Sequence, residues 1–204
     1  DLNGKSATVD DGVTVTAAYS VLNGKAVNHD GSEVGQGLVV TINAADSAAD
    51  LSNITSNITN MTAQFTQTQT FTGDLNGKSA TVDDGVTVTA AAADVTGDTI
   101  AAGNTGNIAV TALDATLAAN LSGLSSVAGT VTAAFDNSGT FTGNLGTAVV
   151  TVAGTKTMTV AASIVDTATI SGAGTVAVTA LQSTLNANLV GITANAVTAA
   201  FDDD

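Results

Sequence analysis

Asp1 to Ala18 reads DLNGKSATVDDGVTVTAA, and Asp74 to Ala91 repeats it letter for letter. A third, diverged copy starts near Asn144, and the phrase FTGDL at Phe71 returns as FTGNL at Phe141. The chain therefore reads as repeat units at 1–70, 71–140 and 141–204, the last truncated, in one continuous array. Repetition at a fixed period of this size is the mark of solenoids and arrays.

Each unit divides again by about three. Short segments with period-2 alternation lie at Val13–Ala17, Leu38–Ile42, Met61–Phe65, Val86–Ala90, Ile108–Ala112, Val131–Phe135, Met158–Ala162, Val176–Ala180 and Val197–Phe201. Alternation with valine and threonine enrichment predicts half-buried strands. The three inward positions are apolar in all nine segments, and the third includes Ala112 and Ala180. The second inward position falls to alanine at Ala63, Ala133 and Ala199, where the third rises to Phe65, Phe135 and Phe201. That exchange of volume points to one packed interior, where a single methylene is felt.

Gly12, Gly37, Asn60, Gly85, Gly106, Gly129, Gly174 and Asn195 precede strands, with Gly154 a little earlier than its own. They read as corners that need positive φ. Leu117, Leu121 and Leu124 stand at helical spacing, as do Leu185, Leu189 and Ile192, with Leu51 and Ile54 as counterparts. They predict a short helical turn packed on the core, and Asp114 holds its N-cap position.

The predicted fold is mainly β: a parallel β-solenoid of about nine coils of ~23 residues, with short helical turns. At a strand spacing of about 4.8 Å the section is roughly 40 Å long. The alternative is three tandem antiparallel β domains of about 70 residues, since short sandwiches also space their strands regularly. One inward pattern fitting all nine segments favours the solenoid.

The 204 residues contain no proline, cysteine, tryptophan or arginine, and the four basic residues are Lys5, Lys25, Lys78 and Lys156. Net charge is -14, yet only 11% of residues are charged and 44% are apolar. Acidic disordered chains lack that apolar share, so this chain can bury a core. With aromatics at 3%, the core is built of alanine, valine, leucine and isoleucine. The acidic balance argues against nucleic acid, whose phosphates need clustered lysine and arginine. No apolar run reaches the length of a membrane span.

Little here points to catalysis, and no enzyme is expected. Nucleophile, P-loop, dinucleotide and zinc-protease motifs do not occur. His29 lies with Asp30 and Glu33 in a stretch that the other units lack, and reads as a polar loop insertion. The corners Asp10-Asp11 and Asp83-Asp84 are the same in two units, and Asp94 and Asp98 follow the second. Paired carboxylates with nearby carbonyls offer oxygens to calcium, which takes six to eight. Asp10, Asp11, Asp83, Asp84, Asp94 and Asp98 are therefore the candidate calcium ligands; no other cofactor is expected. Three coils would separate the first two pairs by about 14 Å, too far to share an ion. Outward Thr-x-Thr motifs such as Thr14/Thr16 and Thr87/Thr89 are interrupted by Val39, Ala109 and Ala134, which weakens an ice-binding ladder.

The alanine, threonine, valine, glycine, asparagine and aspartate bias and phrases such as Val176-Ala177-Val178-Thr179-Ala180-Leu181 resemble the repeat regions of large bacterial surface and secreted proteins. S-layer proteins, giant adhesins and matrix fibres are of this kind. The resemblance implies an extracellular or cell-surface structural role, as a filament, adhesin or biofilm-matrix section. Expected partners are further copies of itself or adjoining repeats. The alternative function is a calcium- or glycan-binding module of an adhesin.

Overall fold

The computed structural model describes residues 2–31 and 35–202. The strands of the first unit are β1 (Ala7–Val9), β2 (Thr14–Ala18), β3 (Val27–His29), β4 (Gly37–Ile42) and β5 (Asn60–Phe65). Next come β6 (Gln69–Phe71), β7 (Ala80–Val82), β8 (Thr87–Ala91), β9 (Ile100–Ala102), β10 (Asn107–Leu113), β11 (Leu124–Ser126) and β12 (Val131–Phe135). The last are β13 (Gly139–Phe141), β14 (Val149–Val152), β15 (Thr157–Ala161), β16 (Ile170–Ser171), β17 (Thr175–Leu181) and β18 (Ala196–Phe201). Among the described residues every strand pair is parallel. The molecule is a parallel β-solenoid of about ten turns. One apolar cluster runs through it from Val9 to Ile192.

The nine long segments do not form a single stack. They divide three, three and three among successive sheets. One sheet runs β2-β4-β5-β7-β9-β11, the next β6-β8-β10-β12-β14-β16, and the last β13-β15-β17-β18. The first two sheets thus take the long strands of one unit and continue with the short strands of the next. At a unit's end the chain inserts a short strand, β6 or β13, on a new side. From there the long strands occupy that side. A unit is three turns plus one side, so identical residues in successive units face different directions. Coil length varies accordingly: stacked partners are 17 residues apart at Ala63 and Ala80 but 24 apart at Ile100 and Leu124.

Two phenylalanines fill each step. Phe65 and Phe71 meet edge to face, with ring centroids 5.1 Å apart, and both are fully buried. Phe135 and Phe141 occupy the second step, also fully buried. Ala63 and Ala133 are buried in the same strands as Phe65 and Phe135, as the volume exchange read from the sequence expects, whereas Ala199 and Phe201 of β18 are exposed.

The pairing register differs at two places. Val15, not Val13, lies opposite Leu38, and Val88, not Val86, lies opposite Ile108. A slip of two residues keeps the same side chains inward, so alternation could not reveal it. Bulges also displace two inward assignments. Ala112 and Ala180 take positive φ, and Leu113 and Leu181 pair with Phe135 and Phe201 in their place. Ala112 is exposed and Leu113 buried.

Of the expected helical turns only the first-unit one is present, as the 3-10 turn Leu51–Asn53. Residues 114–122 and 182–191 contain no helix, although Leu121 and Leu124 are buried as anchors. Four-residue helices instead follow the first long strand of each unit: α1 (Tyr19–Leu22), α2 (Ala92–Val95) and α3 (Ala162–Val165). First and fourth residues of each are buried, an i, i+3 pair that turns the corner. In the first unit, 3-10 turns occur at Ala44–Asp46 and Leu51–Asn53.

Of the predicted corner glycines only Gly12 and Gly85 have positive φ. Gly106, Gly129 and Gly174 are needed because a Cβ would strike a carbonyl of the neighbouring coil. In the third unit Thr155 stands where Gly12 and Gly85 stand, and Thr167 where Gly24 and Gly97 stand, all at positive φ. A β-branched residue is strained there. Replacing Thr155 with glycine relieves about 1–2 kcal/mol of strain and adds somewhat less unfolded-state entropy. Thr155→Gly is expected to stabilise the fold by up to about 1 kcal/mol in chemical denaturation, and Thr155→Val to give no gain. Phe71→Ala is expected to cost about 3–5 kcal/mol in the same measurement, because it empties a unit step.

Candidate functional site

The third side of the middle turns is made of single bridges rather than strands. Asp50 bridges to Asp74, and Asn120 to Asn144. At each level an aspartate or asparagine side chain accepts from the backbone N–H two residues on: Asp50 from Ser52, Asp74 from Asn76, Asn120 from Ser122, Asn144 from Gly146 and Asn188 from Val190. Such Asx turns let a short polar side chain bend the backbone. The following leucine points inward: Leu51, Leu75, Leu121 and Leu145 are buried. The spacing of Leu121 and Leu189 in the sequence reflects this Asx-Leu recurrence rather than a helix.

The hollow of greatest chemical interest lies on this side. It has a volume of about 280 Å³ and is lined by Gly73, Asp74, Ala93, Asp94, Thr96 and Asp98. The loop after α2 brings Asp98 toward Asp74, which the sequence had not singled out. Partial burial, and then the Asp74 charge, push the Asp98 carboxyl above the ordinary aspartate range.

The six predicted calcium ligands therefore fall into three separate places. Asp94 and Asp98 line this hollow with Asp74. Asp83 and Asp84 line another depression with Thr81, Ala101 and Gly103, before β8. Asp10 and Asp11 sit before β2, at the corner of a different sheet. The expected spacing of three coils on one face does not apply, because the unit step moves the corner to another side. Among the described residues no group of three or more aspartate, glutamate or histidine side chains is placed to hold a metal ion. His29, read as part of a polar loop insertion, instead ends strand β3 opposite Val9; its Nδ1 accepts from the Gly31 N–H at 3.0 Å, and Glu33 lies outside the described residues.

The corner acids instead tie neighbouring coils. Asp11 accepts from the Gln36 amide. Asp83 accepts from Gln64 Nε2 at 2.7 Å, one coil back. Asp84 accepts from the Thr105 N–H at 3.4 Å, one coil on. Asp166 accepts from the Asn188 N–H at 2.7 Å. Asp114, read as an N-cap, accepts from the Thr116 hydroxyl and backbone and from the Leu117 N–H, without a helix behind it. Those bonds, led by the Thr116 hydroxyl, hold its carboxyl below the usual range.

The two shifted carboxyls act on stability with opposite sign. For Asp98 the folded state favours the proton, so stability rises as pH falls through its raised folded pKa toward the unfolded value of about 3.9. For Asp114 stability is full above the unfolded pKa and is lost as pH falls through the lowered folded value. Asp98→Asn is expected to raise Tm at neutral pH and to shrink the change in Tm seen on acidification to about pH 4. A lower Tm for this variant at neutral pH would contradict the assignment. Asp114→Ala is expected to lower Tm at neutral pH, with the difference from wild type closing in strong acid.

A comparison with protein-family models, curated protein sequences and solved structures finds no match for this chain.

Proposed function

We propose that the chain is a structural repeat section of a secreted bacterial surface layer, fibre or adhesin stalk, extending as a rod. The observation that carries this reading is the way one unit enters the next. The boundary is not a linker but a step inside continuous sheets: β5 stacks on β7 and β12 on β14, with the phenylalanine pairs beneath. Load applied along the axis passes from unit to unit through backbone hydrogen bonds and a shared core. Such arrays behave as a sum of repeats and neighbour interfaces.

The chemistry-bearing side chains support the same reading. The corner aspartates bond to amides and N–H groups of adjacent coils, which is a structural use. Apart from His29, none of the charged or titratable acid, lysine or histidine groups lies within a described strand, so the flat faces carry threonine, alanine, serine and valine. The net charge of -14 opposes non-specific clumping of such faces in an exported chain.

Electron microscopy of the native material is expected to show filaments or a layer with repeating density. Native material present only as dispersed monomers would overturn the proposal. Calorimetry separates it from the ligand-binding alternative: the structural reading expects Tm to be unchanged by millimolar calcium. A rise of several degrees would place a calcium site at the centre of function instead.

A further inference from the structure

We infer that Asn76 is a site of self-modification: the backbone nitrogen of Gly77 attacks the Asn76 side chain, and the residue converts slowly to aspartate and isoaspartate without an enzyme. The fold protects the same four residues where they recur at 22–25. The inference is separate from the structural role proposed above and stands or falls on its own.

The phrase Leu-Asn-Gly-Lys occupies residues 22–25 and again residues 75–78. Asparagine before glycine favours closure of a cyclic imide, because glycine has no Cβ to hinder the attacking nitrogen. Identical neighbours give both places the same intrinsic reactivity. Asn23, Gly24, Asn76 and Gly77 are all exposed, so access to solvent does not separate them. The way each turn is held does.

Leu22 to Lys25 form a type II turn. Asn23 has φ -53° and ψ 124°, Gly24 has φ 70°, and the Lys25 N–H donates to the Leu22 carbonyl at 2.9 Å. This turn is fastened to the next coil on both sides of the nitrogen that would attack. The Gly24 N–H donates to the Asn53 carbonyl at 3.0 Å, and the Thr55 N–H donates to the Lys25 carbonyl at 3.0 Å. Swinging the Gly24 nitrogen toward the Asn23 Cγ would break a bond between coils.

Leu75 to Lys78 form a turn of the opposite hand, type I′, with φ 51° at Asn76 and 68° at Gly77. The Lys78 N–H donates to the Leu75 carbonyl at 3.0 Å, and the Asn76 N–H to Asp74 Oδ1 at 2.6 Å. Among the described residues, the hydrogen bonds of Asn76 and Lys78 stay within residues 74–78, and the Gly77 N–H has no acceptor. The nucleophile is therefore free here and engaged at Gly24.

The chemistry needs only water and base. Hydroxide takes the Gly77 N–H proton, and the nitrogen pair forms a bond to the Asn76 Cγ. The Cγ–Nδ2 bond breaks, and ammonia leaves with a proton from water. Water then opens the imide at either carbonyl, giving aspartate or isoaspartate. Each product adds a negative charge within the turn that Asp74 holds. Isoaspartate also lengthens the backbone by a methylene between buried Leu75 and β7. The change falls on the turn that leads from the first step into the next strand.

Peptide mapping of the folded 204-residue chain, kept in mildly alkaline buffer, tests this. Trypsin cuts after Lys5, Lys25 and Lys78, so Asn23 falls in peptide 6–25 and Asn76 in peptide 26–78. Mass spectrometry counts conversion at each asparagine, and isoaspartyl methyltransferase labels the isoaspartate. Asn76 is expected to convert at least about tenfold faster than Asn23, whose turn must first open. In denaturant the two rates are expected to become equal. Asn76→Gln, which closes a larger ring far more slowly, is expected to keep the far-UV circular dichroism and to remove the isoaspartate from peptide 26–78. Equal conversion at the two places in the folded chain overturns the inference. So does a difference that persists in denaturant, or an Asn76 that stays intact in the folded chain while the denatured chain reacts.

Discussion

Parallel strands stacked about 4.8 Å apart place the side chains of one coil directly over those of the next. Every residue on a face must therefore tolerate its neighbour at that distance for the length of the sheet. Two like charges so spaced repel by about 1 kcal/mol even in water, and by more where solvent is excluded. A column of them would accumulate that cost at each level. This constraint accounts for flat faces of threonine and alanine, and for carboxylates confined to corners. At several corners the carboxylate finds an amide or backbone donor rather than a copy of itself, as Asp83 does in Gln64; Asp74 and Asp98 are the exception.

The same spacing governs the interior. The core contains few aromatic rings, and Phe65, Phe71, Phe135 and Phe141 are buried where the chain changes sides. Elsewhere Val, Leu, Ile and Ala fill a narrow, regular space. At a step the regular filling is broken, and two rings with a neighbouring alanine replace three aliphatic side chains. Glycine serves the matching need on the outside. Gly73 and Gly143 follow the second phenylalanine of each step, and at both a Cβ would collide with the carbonyl of the coil beneath, Ala49 or Ala119. The Phe-Thr-Gly phrase is thus the sequence of the step itself: a ring to fill the core, then a bare backbone to pass close to the previous turn.

This geometry also explains why paired aspartates are a poor guide to ligands in such a chain. A turn aspartate that bends its own backbone, or holds the next coil, has the same local sequence as one that binds an ion. Asp10-Asp11 and Asp83-Asp84 were visible as pairs, but their hydrogen-bond partners Gln36, Gln64 and Thr105 lie about twenty residues away in sequence and one coil away in space. The hollow at Asp74, Asp94 and Asp98 was invisible for the same reason, since it joins two coils.

The sequence by itself determined the nine long strands, most of their inward side chains and a parallel solenoid rather than separate antiparallel domains; the nine short strands and the inward places of Leu113 and Leu181 came from the structure. Alternation and volume exchange are local properties, and the rings at Phe65 and Phe135 declared themselves through Ala63 and Ala133. Only the tertiary structure decided which sheet each strand joins and in what register. An in-out pattern of period two looks the same on every side of a coil and survives a slip of two residues. The choice among sides is made by packing at the step, where a coil shortened to 17 residues between Ala63 and Ala80 must close over two phenylalanine rings.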